Sequence, residues 1–184
     1  MSNLFTIVGV SGSLRSASLN TRFLHALSVV CPQHIVFHIY DKLGSIPPFN
    51  VDADENPPEA VLDWKAFLAQ SDMIVLASPE YAHGISGVLK NALDWLVSDY
   101  QLLTRPVAFP NISIRASIAQ NQMEEILTTM GFSLIESCSP RASITTPLID
   151  PELSAEEIAA HPTLSLRLAA FWKAVSNYLN ERTL

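Results

Sequence analysis

The chain is poor in the residues that build disulfide scaffolds and metal centres. Its 184 residues include only two cysteines, Cys31 and Cys138, and these form neither a C-x-x-C pair nor a ligand spacing with histidine. We therefore expect no structural disulfide and no metal site. Such sparing use of cysteine is typical of a reducing compartment, so the sequence predicts a cytoplasmic protein.

Positive charge is also scarce. The chain has 11 Lys and Arg residues against 18 Asp and Glu residues, which gives a formal net charge of −7. No basic stripe is present to neutralise the phosphates of a nucleic acid, and this argues against a nucleic-acid partner. A single bound phosphate stays compatible with the charge, because one local site can act against the overall field.

Long apolar runs, internal repeats and low-complexity tracts are lacking as well. The apolar stretch near the amino terminus covers only residues 4–10, well short of the roughly 20 residues that a membrane helix needs. No basic residue precedes it, so neither a signal peptide nor a membrane partner is expected. With 48% hydrophobic and 16% charged residues, the composition and length predict a single globular domain over residues 1–184.

What is present is an alternation of strand and helix patterns. Short apolar runs predict buried strands at 4–10, 34–40, 73–78, 105–110 and 132–138. Helical periodicity follows from Leu19 to near Pro32, at 61–68, at 88–96, at 117–130 and at 164–179. This alternation predicts an α/β fold with a doubly wound parallel sheet. Ligands of such sheets bind beyond the carboxyl ends of the strands, so functional residues are expected after Val10, Ser78 and Pro110.

The segment after the first predicted strand, SGSLRSASLN at 11–20, has the composition of a phosphate-binding loop. Its four serines and Arg15 stand directly before a helix, whose N-terminus offers unpaired N–H groups and a positive dipole end. The segment matches neither the dinucleotide fingerprint nor the Walker A motif. A purely structural interpretation is also open, in which Ser18 caps the helix and Arg15 is solvated.

The segment after the third predicted strand reads SPEYAHGISGVLKNALDWL at 78–96. Pro79 ends the strand, and the backbone that follows can face a planar heterocycle, helped by two glycines. The alternative for Glu80 and Tyr81 is an ordinary surface turn. On the next helix, Lys90 and Asp94 have the spacing of an i,i+4 ion pair, and Leu89, Leu93 and Leu96 the spacing of core positions.

GSLRSASLN at 12–20 and PEYAHGISGVLKNALDW at 79–95 together resemble the NADPH-dependent FMN reductase family, which includes flavin, quinone, chromate and azo-dye reductases. The resemblance spans about residues 4–138 and covers the closing helix only weakly. It implies a flavodoxin-like three-layer fold, in which a five-stranded parallel sheet of order 2-1-3-4-5 carries helices on both faces.

The same resemblance implies the cofactor and its ligands. It assigns the FMN phosphate to Ser13, Arg15, Ser18 and Asn20. It places Pro79, Glu80 and Tyr81 along the isoalloxazine ring, largely through their backbone, and lets Asn111 reach the ring from the loop after the fourth strand.

The family's chemistry implies a donor and an acceptor. NADPH or NADH would reduce the flavin, which would pass two electrons to a small acceptor such as free flavin or a quinone, and no side chain need act as a catalytic acid, base or nucleophile. A homodimer or homotetramer is expected from the family.

Three positions depart from the family pattern. Ala82 replaces a common Asn, Ser86 replaces a common Pro, and the segment PNISIRASIAQNQ at 110–122 lacks the family's glycines. The last departure predicts an altered flavin affinity, because a loop without glycine approaches a ring less closely. Two alternatives follow: a one-electron carrier of the flavodoxin type, and a flavodoxin-fold binding protein that has lost its flavin.

Overall fold

Five parallel strands form the middle layer of the computed structural model, which describes residues 4–113, 116–141 and 152–182. The strands are β1 (Phe5–Ser11), β2 (Ile35–Tyr40), β3 (Met73–Ala77), β6 (Pro106–Ala108) and β7 (Ser133–Leu134). Their spatial order is β2-β1-β3-β6-β7. Counted over the parallel strands alone this is 2-1-3-4-5, so the predicted flavodoxin-like topology is confirmed. A separate antiparallel hairpin, β4 (Glu80–Tyr81) and β5 (Gly84–Ile85), follows β3.

Helices cover both faces of this sheet. They are α1 (Leu19–Val29), α2 (Glu59–Ala69), α3 (Gly87–Asp94), α4 (Tyr100–Leu103), α5 (Ser117–Met130), α6 (Ala155–Ala160) and α7 (Pro162–Glu181). Side chains alternate between the faces along each strand, and on β1 Val8 packs with α2, α3 and α5 whereas Ile7 packs with α1, α6 and α7. The inner strands β1, β3 and β6 are thus buried on both sides, which explains their nearly continuous apolar runs. The edge strands β2 and β7 are partly exposed.

The two strands at the β7 edge are shorter than predicted. The apolar run at 132–138 forms only the two-residue β7 and then a 3-10 turn, Glu136–Cys138, in which Cys138 stays buried. Beyond Ala108 the ladder is replaced by loop contacts, because the Phe109 amide donates to the Ser139 hydroxyl at 2.9 Å. The apolar pattern therefore marked burial correctly but overestimated the length of pairing at this sheet edge.

Helix prediction was most accurate where local signals were strong. Helix α5 covers the predicted 117–130, and Gly131 ends it in the left-handed conformation at a φ of 90°. Of the apolar residues at helical spacing in α1, Phe23, Leu24, Ala26 and Leu27 are buried, whereas Leu19 is only partly buried. The short α4 and α6 and the β4–β5 hairpin were missed, because elements of two to six residues contain too few positions to show a period. Within the described part of the chain, no helix is both long and apolar enough to cross a membrane.

Candidate functional site

A cleft at the carboxyl edge of the sheet joins the segments that follow β1, β3 and β6. Its volume is about 220 Å³. It is lined by Ser13, Arg15, Ser18, Leu19, Asn20, Pro79, Glu80, Tyr81, Ile112, Ser113 and Ala116. Every predicted site residue except Asn111 therefore lines one cavity. Residues from distant parts of the sequence meet here because parallel strands bring their carboxyl ends to the same edge.

Two other cavities in the described structure are larger than this cleft, with volumes of about 240 and 310 Å³. The first lies among Phe5, Asp72 and Pro106, at the amino ends of the strands. The second lies beside α5 and β7, next to Glu124 and Arg141. The second cavity lies beyond the carboxyl end of the edge strand β7, away from β1 and β3, where the strand order reverses and doubly wound sheets bind their ligands. We therefore assign the site by position rather than by volume.

The loop between β1 and α1 is held tightly against the start of α3. A Cβ atom on Gly12 would lie 2.8 Å from the Ser86 hydroxyl and 3.1 Å from Leu89 Cδ2, so only glycine fits this close approach. The Ser11 hydroxyl bonds the Thr21 hydroxyl at 2.7 Å and accepts from the Ser13 amide at 3.3 Å. Ser11, one of the four serines of the segment, is therefore a structural residue of the loop.

The N-terminus of α1 opens into the cleft. Ser18 caps the helix, since its hydroxyl accepts from the Thr21 amide at 3.3 Å, and the structural alternative for this residue is confirmed. The amides of Leu19 and Asn20 donate no hydrogen bond to any described residue. Within the same described chain, the exposed guanidinium of Arg15 has no hydrogen-bonding or ionic partner. These donors and one positive charge together suit a bound anion.

A second arginine fixes this loop and was missed from the sequence. The Arg22 guanidinium donates to the Ala17 carbonyl at 3.2 Å, to the Ser18 carbonyl at 3.5 Å and to the Leu153 carbonyl at 2.9 Å. It ties the end of the loop to the segment before α6. The neighbouring residues in the sequence do not reveal this role of Arg22, because its partner Leu153 lies 131 residues further along the chain.

The segment after β3 folds back as the β4–β5 hairpin, with Tyr81 opposite Gly84. The two turn residues, Ala82 and His83, have φ values of 48° and 61°. Two successive positive φ angles are typical of type I′ turns, which favour Asn and Gly. Position 82, where the family commonly has Asn, thus has a backbone conformation that suits Asn. Alanine in this conformation is strained by about 1 kcal/mol relative to a residue that tolerates it.

The base of the hairpin is closed by serine hydroxyls. The Ser78 hydroxyl donates to the Pro79 carbonyl at 3.0 Å and accepts from the Ser86 amide at 3.2 Å. Ser86, which departs from the family's common Pro, is the N-cap of α3 and accepts from the Leu89 amide at 3.4 Å. This departure is therefore locally compensated, because serine is a preferred N-cap residue.

The Glu80 carboxylate reaches across to the start of α5. Its Oε2 accepts from the Ile118 and Ala119 amides, each at 2.9 Å, and its Oε1 lies 3.4 Å from Nδ1 of His83. The hydrogen bond from the Ala119 amide, followed by that from Ile118, lowers the pKa of Glu80. These bonds stabilise the fold above the ordinary pKa of a glutamate, and the stabilisation is lost as the pH falls through the lowered value.

Asn111 has a different position from the one expected. Its side chain donates to the Arg141 carbonyl at 2.8 Å and accepts from the Ser113 amide at 3.1 Å, and its own amide donates to the Pro140 carbonyl at 3.0 Å. It fastens the loop after β6 instead of lining the cleft, where Ile112, Ser113 and Ala116 form the wall. Its contact with a flavin stays a prediction that this placement does not support. Positions 114 and 115 of the glycine-free segment lie outside the described residues.

The second half of the segment at 78–96, from Leu89 to Leu96, is structural. Leu89, Leu93 and Leu96 are buried as predicted, and Trp95 is buried in the same core. The predicted ion pair is present, with Lys90 Nζ at 2.5 Å from Asp94 Oδ1.

The loop at 41–58 is held by Asn91 of α3 and by Trp95, the C-cap residue of that helix. Asn91 accepts from the Phe49 amide at 2.7 Å and donates to the Pro47 carbonyl at 2.9 Å. The Trp95 indole N–H donates to the same Pro47 carbonyl at 2.9 Å. The motif residues that follow the glycines thus shape the surroundings of the cleft without lining it.

Comparison with known families agrees with this geometry. Residues 5–143 match the family model described as NADPH-dependent FMN reductase. The chain belongs to this family. Among curated members, a 2-hydroxy-1,4-benzoquinone reductase of Burkholderia sp is 39% identical over 89 residues, which are 48% of each protein. A quinone reductase of Escherichia coli (strain K12) is 26% identical over 159 residues, 83% of this chain and 85% of that protein.

Coverage differs among the relatives. The chain spans about half the length of the first curated family members it matches. A solved structure, the flavoenzyme NAD(P)H:(acceptor) oxidoreductase FerB from Paracoccus denitrificans, covers 97% of this chain and is itself covered over 98%, with a TM-score of 0.74 and 24% identity. At this identity the likeness shows a shared fold, and it confirms the three-layer architecture of the family.

Proposed function

We propose that the protein is an FMN-dependent NAD(P)H oxidoreductase, which passes two electrons from NADPH or NADH to a small acceptor such as a quinone or free flavin. One observation carries this proposal. The open N-terminus of α1 and the charge of Arg15, which has no partner in the described part of the chain, face the Pro79–Tyr81 segment across one cleft. The chain carrying this cleft belongs to the NADPH-dependent FMN reductase family.

The phosphate end of FMN fits the loop between β1 and α1. The amides of Leu19 and Asn20 and the guanidinium of Arg15 have no acceptor among the described residues. A phosphate group placed there would accept from these donors and lie at the positive end of the α1 dipole. Ser13 and Asn20 add polar side chains to the same wall.

The ring of FMN fits the rest of the cleft. Pro79, Tyr81, Ile112 and Ala116 provide apolar surface, and the hairpin presents backbone groups to the edge of a planar ligand. Bound FMN would supply the redox chemistry by taking a hydride from the nicotinamide and giving two electrons to the acceptor. The protein would bind and orient the ring and control access to it. Tyr81, with 48% of its surface exposed, stands at the rim where an acceptor would enter.

A quinone is the acceptor we favour. Curated members with similarity to this chain are named quinone reductases, and Pro79, Tyr81, Ile112 and Ala116 give the cleft apolar surface that suits a quinone ring. A homodimer or homotetramer and a cytoplasmic location remain predictions. Cys31 and Cys138 are both free thiols.

The test is an absorption spectrum of the purified protein, taken before and after addition of FMN and then after NADPH under anaerobic conditions. We expect a flavin spectrum that bleaches with NADPH and returns when benzoquinone is added. Bleaching without reoxidation by any two-electron acceptor would favour the one-electron carrier. No flavin binding and no oxidation of NADPH would favour a binding protein that has lost its flavin, and NADPH oxidation only with excess FMN would indicate flavin used as a substrate.

A further inference from the structure

The start of α5 borders the same cleft as the start of α1, but its Ile118 and Ala119 amides are already occupied. Its N-cap, Ala116, has no side-chain acceptor. The Glu80 carboxylate supplies the missing acceptor and accepts from the Ile118 and Ala119 amides at 2.9 Å each. Glu80 precedes these two residues in the sequence by 38 and 39 positions. A charged acceptor at a helix N-terminus is favourable for both the N–H groups and the dipole.

A second contact runs in the opposite direction. The Gln122 side chain of α5 accepts from the Ile85 amide at 2.7 Å. A Cβ atom on Gly84 would lie 3.0 Å from the same amide oxygen, so the hairpin and α5 are in close contact at this point. Hairpin and helix are thus joined reciprocally, each offering a side chain to the backbone of the other.

This attachment explains how the hairpin keeps an unfavourable turn. Ala82 and His83 both have positive φ, and non-glycine residues stay in that region only when the surroundings fix them. Glu80 fixes the first strand of the hairpin, Gln122 fixes the second, and Ser78 closes the base. The segment 79–81 is therefore held rigidly beside the cleft.

We propose that Glu80 is a positioning residue, whose carboxylate holds the Pro79–Tyr81 backbone in place for the flavin by capping α5. The proposal rests on the proposed function, since it assigns the ring to this backbone. It differs from a direct flavin contact because the carboxylate is engaged by the Ile118 and Ala119 amides and by His83. The hydrogen bonds from the Ala119 and Ile118 amides also lower the pKa of Glu80, which favours the ionised form that caps the helix.

The test compares Glu80→Ala and Glu80→Gln with a matched control, Glu125→Gln, which changes an exposed glutamate of α5 outside the cleft lining. Amide hydrogen exchange at Ile118 and Ala119 is measured in the FMN-free protein, and the FMN dissociation constant is measured by fluorescence titration. We expect Glu80→Ala to speed exchange at both amides about fivefold, the size typical of a lost helix cap. FMN binding should weaken by a similar factor.

The conservative variant separates positioning from general destabilisation. Glu80→Gln keeps an acceptor oxygen at the same reach, so it should restore part of the protection and part of the FMN affinity. It should also restore the fluorescence anisotropy of bound flavin, which we expect to fall in Glu80→Ala as the ring loosens. The control should match the wild type in all three measurements. Circular dichroism establishes that each variant is folded, and Glu80→Gln alone suffices if the alanine variant does not fold.

Two results would overturn the proposal. Weaker FMN binding with unchanged exchange would mean that Glu80 touches the flavin directly. Faster exchange with unchanged FMN affinity and anisotropy would mean that the cap does not position the site. A wild-type protein that binds no FMN would overturn the proposed function and this role together, and exchange at the two amides would then still report whether the cap itself exists.

Discussion

The N-termini of α1 and α5 border one cleft, yet they are prepared for different tasks. Helix α1 is capped by its own Ser18, and the amides of Leu19 and Asn20 find no acceptor among the described residues. Helix α5 has no cap of its own, and Glu80 occupies its Ile118 and Ala119 amides. A helix N-terminus attracts anions only while its donors are unoccupied. The comparison therefore directs a phosphate to α1 and away from α5.

Charge strengthens the same contrast. The guanidinium of Arg15, which has no partner among the described residues, lies beside the N-terminus of α1, whereas the N-terminus of α5 carries the negative charge of Glu80. An anion near α5 would meet a like charge at short range, and in a partly desolvated cleft such repulsion is costly. The N-terminus of α1 is thus a candidate ligand site, whereas the N-terminus of α5 holds the wall of that site in place.

The largest expected effect comes from removing the charge at the open end. Arg15→Ala should weaken FMN binding by about 1.5–3 kcal/mol, the range for hydrogen bonds to charged groups. The measurement is the FMN dissociation constant at fixed ionic strength. An unchanged constant would remove Arg15 from the site and leave the open end without its main cation.

The matched control for this change is Lys90→Ala, because Lys90 is engaged with Asp94 on α3. Loss of an i,i+4 pair should change stability by only about 0.2–0.5 kcal/mol. FMN affinity should stay close to that of the wild type. A large loss of flavin in this variant would show that the pairing is not its main role.

A smaller effect, on stability, is expected from changing Asn111 in the loop that leads from β6 to α5. Asn111→Ala removes hydrogen bonds to Arg141 and Ser113 and should lower the free energy of unfolding by about 1–2 kcal/mol. Chemical denaturation of the FMN-free protein measures this. If stability stayed the same while FMN binding collapsed, Asn111 would be a flavin ligand after all, as its sequence position suggested.

The smallest effect concerns the hairpin that Glu80 attaches to α5. Ala82→Asn should raise the free energy of unfolding by about 1 kcal/mol, because Asn tolerates the left-handed conformation better than Ala. Ala17→Asn is the control: Ala17 is also exposed in a turn, but it is not among the residues with positive φ. Equal responses of the two variants in chemical denaturation would mean that the strain at Ala82 is relieved in some other way.

Prediction succeeded where the signal lies in neighbouring residues. The strand-and-helix order, the capping role open to Ser18 and the stop at Gly131 all follow from short segments, and the structure confirms them. Edge strand β7 was overestimated because an apolar run records burial, and residues of a 3-10 turn can be buried equally well.

The sequence by itself determined that the inner strands are buried on both faces and which strand ends carry the candidate site, because side-chain periodicity and turn residues are local properties. Only the tertiary structure decided that Glu80 closes α5, that Asn111 fastens a loop and that Arg22 reaches Leu153. These partners lie 30 to 131 residues apart. Any carboxylate, amide or guanidinium can make such a bond, and only the packing of the sheet and helices brings one particular pair within reach.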